Sequence, residues 1–78
     1  MEPYTTTIEN ILPGMIVRAT DIEYGSTVVV RVVHTCTDED GSACIRAEKI
    51  DVDVRDDSEI TVLHDPTRIP ADHAGKGA

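Results

Sequence analysis

Apolar and polar side chains alternate along much of this chain. Tyr4, Thr6 and Ile8 alternate with Thr5, Thr7 and Glu9, a period of two that sends successive side chains to opposite faces of a strand. Residues 8–12 have room for one helical turn capped by Thr7, which Pro13 stops from growing. Leu12-Pro13-Gly14-Met15 predicts a type II turn, with proline second and glycine third, where φ is positive. A second strand is predicted over 15–20, and Glu23-Tyr24-Gly25-Ser26 breaks it from a third over 27–37, the longest β-branched run in the chain. Asp38-Glu39-Asp40-Gly41 reads as a hairpin tip. A fourth strand follows over 42–54, a turn at Arg55-Asp56-Asp57-Ser58, and a last strand over 59–64.

Nine valines and eight isoleucines against two leucines, with no Phe or Trp, reinforce this pattern. Side chains branched at Cβ are stiff and pack well on a pleated surface. The expected fold class is all-β: a small five-stranded antiparallel barrel or rolled sheet with a long central hairpin. The entry Leu12-Pro13-Gly14-Met15-Ile16-Val17 resembles the opening of SH3-like barrels. The resemblance covers these residues alone and implies architecture, not a family. An OB-like barrel is the competitor, but it carries a helix between strands for which this chain has no segment. The expected core is Ile8, Ile11, Leu12, Ile16, Val17, Ile22, Val28, Val30, Val32, Ile45, Ile50, Val52, Val54, Ile60 and Val62. Such a core is too small to enclose a deep apolar pocket. One domain is expected over 1–64. From residue 65 two prolines, two glycines and a single large aliphatic, Ile69, predict a mobile tail over 65–78.

The long hairpin carries a conflict. With Glu39-Asp40-Gly41 as its loop, Cys36 faces Cys44, His34 faces Arg46 and Val32 faces Glu48. Toward the base Val30 then faces Ile50 and Val28 faces Val52. On the opposite face Thr35 meets Ile45 and Val33 meets Ala47, but Val29 meets Asp51. The apolar stripe therefore changes faces midway, and Arg31 lies against Lys49, which is unfavourable. A bulge or sharp bend near Glu48-Lys49 resolves both problems.

Charge narrows the partner classes. Fifteen acids against seven bases give a net charge of −8. This opposes direct contact with nucleic acid and with anionic membranes and suits a basic protein partner. Nine of the acids, Asp38, Glu39, Asp40, Glu48, Asp51, Asp53, Asp56, Asp57 and Glu59, fall within residues 38–59. The N-terminus shows neither the basic nor the apolar part of a signal peptide, no apolar run is long enough to span a bilayer, and two cysteines make no disulfide framework. A reducing cytoplasm is the expected compartment. Five arginines against two lysines point to a GC-rich genome, phage or actinobacterial.

Candidate chemistry is sparse. The register places His34, Cys36 and Cys44 on one face near the hairpin tip, a soft set that suits zinc with Glu48 or His64 as a fourth ligand. The spacing matches no zinc motif, and packed, inert thiols are the favoured reading over metal or a disulfide. Asp38-Glu39-Asp40-Gly41 lacks the later ligands of a calcium loop. Asp51 and Asp53 alternate with Ile50, Val52 and Val54, as solvent-facing residues of an amphipathic strand do. No nucleophile elbow or phosphate loop is present. Neither His64 nor His73 has an obvious partner in the sequence.

These readings converge on a non-catalytic module, with no cofactor, that docks to another protein. Its contacts are expected from Tyr24 as an apolar anchor and from Asp38, Glu39, Asp40, Asp51, Asp53, Asp56, Asp57 and Glu59. The alternatives are an acidic mimic of nucleic acid that inhibits a nucleic-acid-binding protein, and a small structural subunit of a virion or similar particle. A metal-dependent enzyme built on His34, Cys36 and Cys44 ranks last.

Overall fold

The turn at Leu12–Met15 and the hairpin tip at Asp38–Gly41 form where the turn chemistry predicts them. Residues 2–67 are described by a computed structural model of the chain. Six strands run in chain order: β1 (Tyr4–Thr6), β2 (Ile16–Thr20), β3 (Thr27–Thr37), β4 (Ser42–Ala47), β5 (Asp51–Arg55) and β6 (Ile60–His64). They form one sheet in the order β1-β6-β2-β3-β4-β5, and every pairing is antiparallel. A single 3-10 turn, Ile8–Asn10, follows β1; Thr7 holds its cap position but makes no side-chain cap bond. At Leu12–Met15 the Met15 N–H donates to Leu12 O (3.3 Å), and Gly14 takes a φ of 92°. The turn is sewn to β3, with Gly14 N donating to Val32 O and Val32 N donating to Met15 O, both at 2.8 Å.

The tip register matches the sequence, and the flat pairing breaks at the base, where the sequence predicts a bulge or sharp bend near Glu48-Lys49. Cys36 pairs with Cys44, Thr35 with Ile45 and His34 with Arg46. The register then shifts between Val32 and His34, so that Val32 stands beside Ala47 rather than Glu48, and Val33 pairs with neither. Below this point the chain turns back, with Ala47 N donating to Ile50 O (3.0 Å). The expected fourth strand is therefore two strands. β5 returns along the far side of β4, setting Val52 beside Ile45 and Val54 beside Ala43. The expected pairs Val30–Ile50 and Val28–Val52 do not form. The reversal satisfies the side-chain pattern: Val52 and Val54 enter the core with Ile45, and Asp51 stands beside Arg46 instead of opposite Val29.

The fold is all-β and antiparallel as expected; it has six strands rather than five, and the pairing leaves the sheet mostly unclosed instead of forming a barrel. The outer edge of β5 is met by the turn after β2. There Ile22 N donates to Asp53 O (2.9 Å), and the buried Asp21 carboxylate accepts from Asp53 N (3.1 Å).

The core holds Ile8, Ile11, Met15, Val17, Ala19, Val32, Ala43, Ile45, Val52, Val54, Ile60 and Val62, with Tyr4, Val28 and Val30 packed against it. Leu12, Ile22 and Ile50, expected inside, are 45%, 50% and 46% exposed because each lies in a turn rather than on an inward strand position. Ile16 is half-buried, and Met15, Ala19 and Ala43 take the interior places that the sequence reading left empty. Asp65, where the composition changes, is buried and accepts a bond from Tyr4 Oη (2.9 Å). Most of the expected tail, with Ile69 and His73, falls in 68–78 and lies outside the described residues. Among the described residues no helix is long and apolar enough to cross a membrane.

Ile45 is fully buried between β3 and β5. Ile45→Val is expected to cost about 0.5–1.5 kcal/mol in urea unfolding, whereas Ile50→Val at the β4–β5 turn stays within about 0.5 kcal/mol of the parent. Equal costs at the two positions would contradict this placement of the core.

Candidate functional site

The β3–β4–β5 ladder lays its outward side chains in rows. One row is His34, Arg46 and Asp51; the next is Cys36, Cys44 and Asp53. Beyond them Ser42 pairs with Arg55, and its Oγ lies 3.2 Å from the Asp38 carboxylate. The turn after β2 folds over the edge of β5 and adds Ile22 and Glu23. Together with Cys36, Asp38, Ser42, Ala43, Cys44, Asp53 and Val54 these residues line a surface groove of about 370 Å³.

Electrostatics in this groove follow from its neighbours. Asp21 is held below the ordinary aspartate value by the N–H groups of Asp53 and Tyr24, against the opposing effect of burial; the Glu23 N–H adds to the lowering. Those N–H donors lie at 3.1, 3.0 and 2.8 Å respectively. Glu23 is pushed up, first by a side-chain hydrogen bond with Asp53, then by burial and by the charges of Asp53 and Asp21. Cys44 is pushed up by burial, and then by Cys36, Asp51 and Asp53.

The structure sorts the expected site residues. Cys36 and Cys44 stand side by side as free thiols, but Cys36 is exposed rather than packed away. His34 sits one row along, opposite Arg46. Glu48 lines a different groove, and His64 pairs with Ile16 on the other side of the molecule. Among the described residues no group of three His, Cys, Asp or Glu side chains is placed to hold a metal. Asp40 is committed to Ser42, whose N–H and Oγ it accepts at 3.0 and 2.6 Å and which lower its pKa.

The acids do not form one ridge. Asp56 N donates to Gly41 O (2.8 Å), which gathers Asp38, Glu39, Asp40, Asp56 and Asp57 at one end of the sheet. Asp51 and Asp53 lie on the outer face, with Arg46 and Arg55 interleaved. Glu59 stands apart, exposed before β6.

Sequence reasoning missed the second site, the lower half of β3. Val28 pairs with Ala19 and Val30 with Val17. The flanking bonds Val32 N to Met15 O and Asp21 N to Ser26 O fix the alternation of that ladder. Backbone groups of Val28, Val30 and Val32 therefore face β2, and those of Thr27 and Val29 face the other way. On that side β4 stops at Ala47, so the Thr27 and Val29 backbone has no ladder partner there among the described residues. Beside this edge lies a groove of about 350 Å³ formed by Val29, Val30, Arg31, Ala47, Glu48, Lys49 and Ile50. Ile50 is shared with a hollow of about 230 Å³ lined by Asp21, Tyr24, Ser26, Val28, Asp51 and Val52. Tyr24, the expected anchor, is 78% exposed at its rim. The one sequence signal of this edge was the clash of Val29 with Asp51 and of Arg31 with Lys49 in the uninterrupted hairpin.

Comparison with protein-family models, with curated proteins and with solved structures found no match to this chain.

Glu23 gives the fold a signed pH dependence. A carboxyl whose folded pKa is raised gives stability at low pH that is lost as pH rises through the folded value. Glu23→Gln, which cannot ionise, is expected to raise Tm at pH 7. The gain should vanish below the ordinary glutamate value of 4.5, where Glu23 is protonated in the folded and unfolded chain alike. Thermal melts of both proteins across this range check it, and a gain independent of pH would refute the raised Glu23 value.

Proposed function

We propose that this chain is a non-catalytic protein–protein interaction module that takes an extended segment of its partner as an added strand along the lower edge of β3. One observation carries the reading: among the described residues the Val29 backbone N–H and C=O have no ladder partner at the edge of a groove with an apolar floor. An extended segment pairs with such an edge through its main chain and sets alternate side chains into the adjoining pocket. It would lie where an uninterrupted β4 would have continued. Val29, Val30 and Ile50 favour an apolar side chain in the groove. Arg31 and Lys49 flank it against the single carboxylate of Glu48. In a chain with only seven cations this is a local excess of positive charge, so the segment it fits carries carboxylates beside its apolar residue.

The acidic end supports a second reading. Two turns brought together by the Asp56–Gly41 bond hold five carboxylates, a surface for a basic protein, including one whose nucleic-acid groove it would fill. Binding there would weaken steeply with salt.

The test starts from a displayed library of extended peptides selected on the full chain. Val29→Pro removes the free donor without breaking a bond to β2, as proline on a strand edge allows. Selected peptides are expected to bind Val29→Pro at least about tenfold more weakly. Asn at Asp38, Asp40, Asp56 and Asp57 should leave them unaffected. Loss only in the Asn variant would favour the basic-partner reading instead. Concentration-dependent dimers abolished by Val29→Pro would make a second copy the occupant and overturn the partner reading.

A further inference from the structure

The thiol pair in the other groove is not used by strand addition. Cys36 and Cys44 are direct cross-strand partners, and both are free thiols. The ladder alternation sets their spacing. Asp38 N donates to Ser42 O at the mouth of the hairpin, so Cys36 and Cys44, two residues further along each strand, form another hydrogen-bonded pair. Opposed Cα atoms at such pairs lie about 5.5 Å apart, inside the range that a disulfide spans without moving the backbone. The two thiols also open onto the groove of about 370 Å³, so a small molecule can reach them.

We propose that Cys36 and Cys44 form a reversible intramolecular disulfide by thiol–disulfide exchange with a small-molecule disulfide. The exposed Cys36 enters first. Its thiolate attacks one sulfur of the small disulfide, forming a mixed disulfide and releasing one small thiolate. The Cys44 thiolate then attacks Cys36 Sγ, closes the cross-strand bond and releases the second small thiolate. The two cysteine protons end on the two released thiols. The cysteine pair loses two electrons, and the sulfur–sulfur bond of the small disulfide gains them. Asp51 and Asp53 stand on the strand beside Cys44 and Glu23 lies above it, so a thiolate there is opposed by charge. The disulfide carries no charge and is not opposed. The same carboxylates repel an anionic oxidant, so an uncharged disulfide is the matched reagent. The bond staples the upper hairpin and leaves the lower β3 edge untouched; it stands independently of the partner reading.

The experiment incubates the folded full chain with hydroxyethyl disulfide and follows intact mass. The expected product is a monomer lighter by two hydrogens, without retained adduct, yielding a proteolytic fragment that joins Cys36 to Cys44, and restored by dithiothreitol. Cys44→Ser should instead keep one adduct on Cys36, at least about tenfold more abundant than any adduct on the native chain. A native chain that retains an adduct on both thiols overturns the proposal. So does one that forms only disulfide-linked dimers. These outcomes are read on the native chain alone, so a variant that fails to fold does not blur them.

Discussion

A β-strand offers hydrogen-bonding groups on both edges, and β3 pairs its two halves with different neighbours. Its lower half binds β2 on one edge, and its upper half binds β4 on the other. The shift between Val32 and His34 is where one arrangement gives way to the other. Everything distinctive about the molecule follows from that exchange. It moves the inward face from the even positions Val28, Val30 and Val32 to the odd position Thr35, which pairs with the buried Ile45. It ends β4 at Ala47 and turns the chain back as β5. It leaves the lower edge of β3 with no strand beside it among the described residues.

An incompletely paired sheet needs something to hold its far strand in place, and Asp21 provides it. Its Oδ1 accepts the N–H groups of Glu23 and Tyr24 and so shapes the turn after β2, while Oδ2 accepts the N–H of Asp53 on β5. One carboxylate joins two strands that share no ladder. It also crowds three acids together, since Glu23 and Asp53 lie against the same turn. Asp21 stays ionised because its donors favour the charge; Glu23 holds a proton more readily because its neighbours oppose the charge. The stabilising tie and the acidic groove thus have the same origin.

Much of the fold was legible in the sequence. The β-branched bias, the Leu12-Pro13-Gly14-Met15 turn, the hairpin tip and the pairings from His34 to Cys36 are local features, and the structure keeps each of them. Failure came where local signals conflicted. Residues 42–54 read as one strand because Glu48-Lys49-Ile50 lacks the Gly, Pro or Asn that marks a turn; only the mismatched pairs at the hairpin base showed that the strand had to break. Ile22 and Ile50 were placed inside by hydrophobicity alone, although turns expose them. Asp21 and Asp65 gave no signal, because a carboxylate buried by backbone donors looks like any surface acid in one dimension. The thiol pair was visible through register, and its exposure was not. The free edge of β3 became visible only once β4 was seen to stop.

Amide hydrogen exchange along β3 tests the central claim without any partner. Val28 and Val30 donate into the β2 ladder, whereas the Val29 N–H points to the open edge. The account predicts slow exchange at Val28 and Val30 and exchange near the unprotected rate at Val29 between them. Protection at Val29 equal to that of its neighbours would mean that the edge is already paired, and would contradict it.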